Sequence, residues 1–248
     1  MPQDAPTIQA AVTAAAPGDT ILVDRGTYPG GVVVPASKPS LTIRGVDRNA
    51  VVFDGAGLRD DAIDVHADGV TLQNLSAHDF RRNAFYWDGV TGFTGSYLTV
   101  WNVLGYGIYS EDSTGGLVEH DYVSGAADAA YYVGECDPCN STLTRLVARL
   151  SAVGYSGTNA SGGLVISDSV WDRNGAVSLS RSRVAAGRYR ITVKDRSSRH
   201  DFRLLGRGVS RRTGRAFMGV ATWNVKLVRG SYTYRSDVAR SKRRLRVG

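Results

Sequence analysis

Long apolar runs are missing from this 248-residue chain, and cysteine, methionine and histidine are scarce, at two, two and four residues. No run reaches the roughly 20 apolar residues that a helix needs to cross a bilayer, and no secretory leader is visible ahead of Asp4. Two cysteines cannot complete a structural zinc site, which takes four thiolate or imidazole ligands. Gly-x-Ser-x-Gly, His-Glu-x-x-His and phosphate-loop patterns are absent, so serine hydrolase, zincin and nucleotide-dependent chemistry have no support. Helical periodicity is scarce as well. Most apolar residues come in runs of three to five between Gly, Asp, Asn and Ser, which suits short strands joined by tight turns.

Against that background one pattern stands out. A tyrosine returns every 23 residues, at Tyr86, Tyr109, Tyr132 and Tyr155. A fixed return of this length marks a solenoid, in which each period is one coil stacked on the last. Runs opening at Gly69-Val70, Gly92-Phe93, Gly116-Leu117, Thr142 and Gly163-Leu164 repeat with offsets of 23, 24, 26 and 21. A second short strand follows in each coil, at 62–65, 84–87, 107–110, 130–133 and 154–157. Alternation in that strand sends Ile63, Phe85, Ile108 and Tyr131 inward, together with Val65, Trp87, Ser110 and Val133. Asp64 and the four tyrosines then point outward as one ladder, with about 4.8 Å between coils. A slip of one residue would reverse the assignment.

Residues 8–16, alanine-rich and ended by Pro17-Gly18, predict a helix that covers the open end of the first coil. The opening TIQAAVTAAAPGDTILVDRGTY and the later YYVGECDPCNSTLTRLVARLSAVGYSGTNASGGLVISDSVWDRNG resemble secreted right-handed parallel β-helix proteins of the pectate-lyase-like superfamily. The resemblance spans roughly residues 5–176. It implies an all-β parallel β-helix and a secreted or cell-surface protein. It leaves the activity open, because that superfamily holds lyases, hydrolases, esterases, epimerases, tailspikes and proteins of no known activity.

Charge divides the chain near Val177. Residues 1–176 carry 10 Lys and Arg against 20 Asp and Glu, whereas residues 177–248 carry 20 against 3, so a net −10 segment precedes one of +17. Such a change of sign predicts two domains, 1–176 and 177–248. The second reads as strands at 188–195, 202–205, 222–228, 232–236 and 244–247. Its VAAGRYRITVKDRSSRHDFRL and TWNVKLVRGSYTYRSD resemble a cupredoxin-like β-sandwich. His200 stands where that family has its first copper histidine, but Ser236-Asp237-Val238-Ala239 replaces the family's late Cys-Asp-Pro-His run. One imidazole cannot hold blue copper, so no copper and no electron transfer are expected. RSKRRLR at 240–246, with Arg207, Arg211, Arg212 and Arg215, suits a polyanion or a solvated basic surface. Without interleaved aromatics it does not read as sequence-specific nucleic-acid binding.

Candidate chemistry falls on the outward face. Beside the tyrosines runs a column of His66, Asp88 and Glu111, with Asp112, Glu135 and Asp137 at its edge. Phenol rings next to carboxylates suit a sugar groove, where rings meet C–H faces and carboxylates accept from hydroxyls. Asp88 and Glu111 on adjacent coils, about one strand spacing apart, are compatible with the carboxyl separation of about 5–5.5 Å of a retaining glycosidase pair, or with a wider one if their rotamers diverge, and His66 heads the same column. Asp64, Tyr86, Tyr109, Tyr132, Tyr155, Asp112 and Glu135 are the expected sugar contacts. The same acids can instead hold Ca²⁺ through oxygen ligands, as a lyase acting on uronates needs; Arg81 and Arg82 are the nearby bases. His78 beside Asp79, and His120 between Glu119 and Asp121, are lesser proton-transfer candidates.

Cys136 and Cys139 predict a disulfide tightening one turn. Two readings stand: a secreted polysaccharide-binding protein, with cleavage by lyase or glycoside hydrolase chemistry left open, and a non-catalytic surface module with a basic adhesive domain. The oligomeric state is not legible in the sequence.

Overall fold

Three- and four-residue strands that alternate apolar and polar side chains can bury only one face each, so the chain must keep turning to enclose a core. The computed structural model shows this coiling; it describes residues 4–172, 174, 183–195, 201–214, 217, 219–235 and 243–248. The backbone divides into two compact units, Met1–Asn174 and Gly175–Gly248.

The first unit is a parallel β-helix. Among the described residues, seven strands from Thr20–Val23 to Val165–Ser167 form a first sheet, and seven from Gly26–Tyr28 to Val170–Asp172 a second. Six strands from Val32–Val34 to Val153–Ser156 form the third. Neighbouring strands pair in parallel, one coil above the next. Between the first and second sheets the chain turns at Asn74, Tyr97, His120, Arg145 and Asp168, with φ between 48° and 57°. Only one of these is the asparagine that tolerates this region best. His120 and Asp168 are also of types enriched there, whereas at Tyr97 and Arg145 stacking of the coils holds a side chain where local preference would not.

Inward residues fill the cylinder as alternation requires: Ile63, Phe85, Ile108, Tyr131, Val65, Trp87, Ser110 and Val133 are all buried. Each large apolar side chain so buried contributes about 1.5–3 kcal/mol. Large and small residues interlock between coils, since a Cβ at Gly116 would collide with the Phe93 ring of the coil below. Polar side chains enter the core where a strand ends and the backbone needs an acceptor. Ser113, Ser141 and Ser151 accept from the N–H groups of Val90, Gly116 and Ala126 at 3.0, 3.0 and 3.1 Å. Asp121 accepts from Leu98 N–H at 2.6 Å, and burial raises its carboxyl well above the usual range.

The capping helix runs Ile8–Ala14, two residues shorter than expected, with Thr7 accepting from Ala10 N–H at its start. Ile8 and Val12 join the core. Gln9 takes the place of a neighbouring strand: its Oε1 accepts from Val33 N–H at 2.7 Å and its Nε2 donates to Val33 O at 3.1 Å. The first strand of the third sheet is thereby denied to an intruding chain. Lys38 Nζ closes the other end of the helix by donating to the carbonyls of Thr13 and Ala15.

The second unit is also β. Strands Arg183–Val184, Arg243–Val247, Gly230–Arg235, Arg203–Gly206 and Val209–Arg212 form one sheet in that order, and Gly187–Asp195 pairs antiparallel with Gly219–Leu227. Leu204, Tyr232, Leu227 and Leu245 lie in its core. His200 and 236–239, which bear on the copper reading, lie outside the described residues.

Candidate functional site: a phenol and carboxylate face

Register in the third sheet puts Asp64, Tyr86, Tyr109 and Tyr132 at one position in four successive strands. The rings meet. Tyr86 stacks on Tyr109 with centroids 4.6 Å apart and planes at 20°, and Tyr109 meets Tyr132 edge-on at 4.9 Å. Contacts of this kind add about 0.5–1.5 kcal/mol per pair. The ladder is thus partly structural, and stacking covers ring faces that a sugar would need. Tyr132 is 5% exposed, whereas Tyr86 and Tyr109 are half-buried. Tyr86 ends the stack, because the coil below carries Asp64 in its place.

Tyr155 is a correction. The last pairing sets Tyr155 against Tyr131, and Ser156 against Tyr132. The spacing there is 24 residues, not 23, and a shift of one residue reverses the face. Tyr155 packs against the core and donates to Val133 O at 3.1 Å, so it takes no part in the outer ladder.

Tyr106 joins instead, unseen in the sequence pattern. Its ring stacks on Tyr109 at 4.4 Å and 12°, and lies 5.2 Å from Tyr132. The turn before each third-sheet strand repeats like the strands do: Asn83 N–H donates to Asp61 Oδ1, and Tyr106 N–H donates to Asn83 Oδ1. The 23-residue step from Asn83 to Tyr106 was the available signal.

Carboxylates tie the phenols together. Tyr86 Oη donates to Glu111 Oε2 at 3.0 Å, and Tyr109 hydrogen-bonds the same carboxylate. Burial first, then Glu111, pushes both phenols well above the ordinary tyrosine range; burial and Asp128 push Tyr106 up to about 12. These hydroxyls therefore stay protonated and act as donors at neutral pH.

Asp88 and Glu111 are direct register partners on adjacent coils. Their surroundings differ. Glu111 is held by phenols, whereas Asp88 faces His66, whose Nδ1 lies 3.6 Å from Asp88 Oδ2. The other nitrogen, Nε2, is 3.1 Å from Asp64 Oδ2. An imidazole thus bridges carboxylates of two coils, and Asp64 Oδ1 is left without a hydrogen-bond partner.

The remaining candidates are more peripheral. Asp112 and Glu135 occupy left-handed turn positions, with φ 49° and 53°. Asp112 is exposed, while Glu135 accepts from Asn159 Nδ2 at 2.8 Å and so ties two coils. Cys136 and Cys139 form a disulfide beside this edge, as expected. Arg81 pairs with Asp60 at 3.4 Å. His120 stacks on Tyr97 at 4.7 Å, outside the third sheet. His78 lies on the second sheet against Trp101, where Asp54, His78 and Asp79 bring three ligating atoms within 4.8 Å of one another.

Fold and site together define a parallel β-helix carrying a phenol and carboxylate face, joined to a smaller β unit. Among solved structures the chain is similar to an alginate lyase from Paenibacillus sp. str. FPU-7. The identity is 13% and the TM-score 0.35, over 66% of this chain and 96% of that one. No protein-family model and no curated protein matches.

Proposed function

We propose that the third-sheet face binds a polysaccharide and hydrolyses it with Asp88 and Glu111 as the carboxylate pair. The observation that carries this reading is their direct pairing across adjacent coils, with Tyr86 donating to one and His66 facing the other. One strand spacing, about 4.8 Å, is compatible with the carboxyl separation of about 5–5.5 Å that retaining chemistry uses, in which one carboxylate attacks the anomeric carbon while the other protonates the leaving oxygen and then activates the water that releases the sugar. Glu111, fixed by two phenols, suits the nucleophile, which must be aimed and unprotonated. Asp88 beside His66 suits the acid and base, because the imidazole gives it a proton partner. With their hydrogens directed to Glu111 and Asp128, the phenol oxygens of Tyr86 and Tyr106 remain as acceptors for sugar hydroxyls.

Elimination from a uronate would need a cation against the sugar carboxylate. Arg81 is engaged with Asp60, so Ca²⁺ at the acidic edge of Asp112, Glu135 and Asp137 would have to serve. A second reading, a non-catalytic surface module, is favoured by the ring-on-ring packing and the burial of Tyr132. In that reading the basic unit adheres to anionic polymers and the solenoid is a spacer.

A glycan panel scored for binding, new reducing ends and unsaturated products separates these. Reducing ends that disappear with Asp88→Asn and with Glu111→Gln support the hydrolase. Unsaturated products, or binding with no product from any glycan, overturn it.

A further inference from the structure

Among the described residues, tyrosine rings meet other tyrosine rings only on the third-sheet face. Elsewhere a tyrosine packs on another kind of ring: Tyr97 on His120, Tyr28 on Phe53, Tyr234 on Phe202. The contacts within the cluster are of two kinds. Tyr86 and Tyr106 lie nearly parallel to Tyr109, at 20° and 12°, with centroids 4.6 and 4.4 Å away. Tyr132 meets Tyr109 and Tyr106 at steep angles, 63° and 55°, and is 5% exposed. Tyr86 and Tyr109 are register partners on hydrogen-bonded strands, so the sheet itself keeps their rings together.

Each of the three parallel phenols also has a carboxylate at its hydroxyl. Tyr86 donates to Glu111 at 3.0 Å, Tyr109 bonds the same group, and Tyr106 bonds Asp128. A neutral phenol gives up an electron readily only when its proton leaves at the same time. A carboxylate within hydrogen-bond reach is a base placed to take that proton. Burial keeps these phenols protonated, so the electron cannot come from a phenolate at neutral pH. All three rings are half-buried and not sealed in the core. No thiol competes with them, because the two cysteines of the chain are joined to each other.

From this geometry we infer that the stack is an oxidative cross-linking site, in which Tyr109 couples to a parallel neighbour, Tyr86 or Tyr106, while Glu111 takes its proton. The oxidant is hydrogen peroxide, used in one-electron steps by a haem peroxidase. Each phenol gives one electron to the peroxidase and its hydroxyl proton to its carboxylate. The two phenoxyl radicals then join through ring carbons ortho to oxygen. As the rings regain aromaticity, the ortho hydrogens leave as protons and the oxygens are reprotonated. The pair thus loses two hydrogens in all, and these reduce one peroxide to two waters. Coupling to Tyr86 ties neighbouring coils covalently and so constrains the unfolded chain as a disulfide does. The inference is independent of whether this face holds a sugar.

The test treats the full chain, kept dilute, with haem peroxidase and limiting hydrogen peroxide. The monomer is then cleaved at acidic residues and mapped by tandem mass spectrometry. Dityrosine fluorescence and a loss of two hydrogens are expected, with Tyr109 linked to Tyr86 or to Tyr106. Tyr109→Phe, which keeps the ring, is expected to abolish the link. Tyr97→Phe is expected to leave it unchanged, although Tyr97 is 40% exposed and so the more accessible phenol. Glu111→Gln removes the base and is expected to slow coupling, with near-ultraviolet circular dichroism showing the rings still packed. A monomer without dityrosine, a link that survives Tyr109→Phe, or an undiminished rate in Glu111→Gln would each overturn the inference.

Discussion

Tyr86 reaches across one coil to Glu111, its hydroxyl 3.0 Å from the carboxylate, although 25 residues separate them in the chain. Register makes the bond: Tyr86 pairs with Tyr109, and Glu111 lies two positions beyond Tyr109 on the same face. Removing the hydroxyl tests what the bond is for. Tyr86→Phe keeps the ring stack and is expected to cost about 1–2 kcal/mol, in the range for a hydrogen bond to a charged group at a half-buried site. Tyr86→Ala also loses the contact with Tyr109 and should cost more. Urea unfolding of both variants reads the two contributions: a Tyr86→Phe variant as stable as the parent would show that the bond to Glu111 adds nothing, and equal losses in the two variants would show that the ring stack adds nothing.

Alkali should weaken the fold through the same residues. The folded-state phenols of Tyr86, Tyr106 and Tyr109 lie above the ordinary value, near 10 in an unfolded chain. Their contribution is complete below about pH 10 and is lost as pH rises toward the folded values, because the unfolded chain releases protons that the native state retains. For Tyr106 the window runs from about 10 to about 12. Stability measured by denaturant at stepped pH should fall across this window, and Tyr106→Phe should flatten part of the decline. A parent curve that stays level through it would contradict the burial of these hydroxyls.

Asp121 provides a test inside the core. Burial raises its carboxyl well above the usual range despite the bond from Leu98. A raised carboxyl favours the native state below the unfolded value and loses that advantage as pH rises toward the folded value. Asp121→Asn keeps an oxygen for Leu98 N–H and removes the titration. The variant should therefore gain on the parent between acid and neutral pH in thermal melts. A difference independent of pH would show that Asp121 is charged in the folded protein.

Gln9 guards the first edge. Gln9→Ala leaves Val33 N–H and C=O without their partner and is expected to cost about 1 kcal/mol. It should also raise concentration-dependent light scattering, since an open strand edge recruits other chains. Unchanged scattering at high concentration would mean that the rest of the capping helix protects the edge alone.

Coils, inward residues and three of the four ladder tyrosines were legible because alternation of period two, repeated at 23 residues, leaves little freedom about which side chains face the core. Tyr155 was misread because its own spacing stayed at 23 while its strand paired at 24, and the turn that absorbs the extra residue has no periodicity to reveal it. Tyr106 went unseen for a related reason. It lies in a turn, and the direction of a turn side chain depends on bonds such as that from Tyr106 N–H to Asn83, not on alternation. The bridge from Asp64 through His66 to Asp88 needs side-chain rotamers, which spacing does not specify.

Spacing and alternation alone determined that the chain coils, which residues fill the cylinder, and that acids and phenols share one face; these follow from local backbone geometry and the burial of apolar surface. Tertiary structure alone decided that the rings stack on one another, that Tyr155 turns inward, and that Glu111 is held by phenols while Asp88 faces an imidazole. Those outcomes depend on coil-to-coil register and side-chain packing, where one residue or one rotamer changes the face or the partner, and no local preference is strong enough to choose.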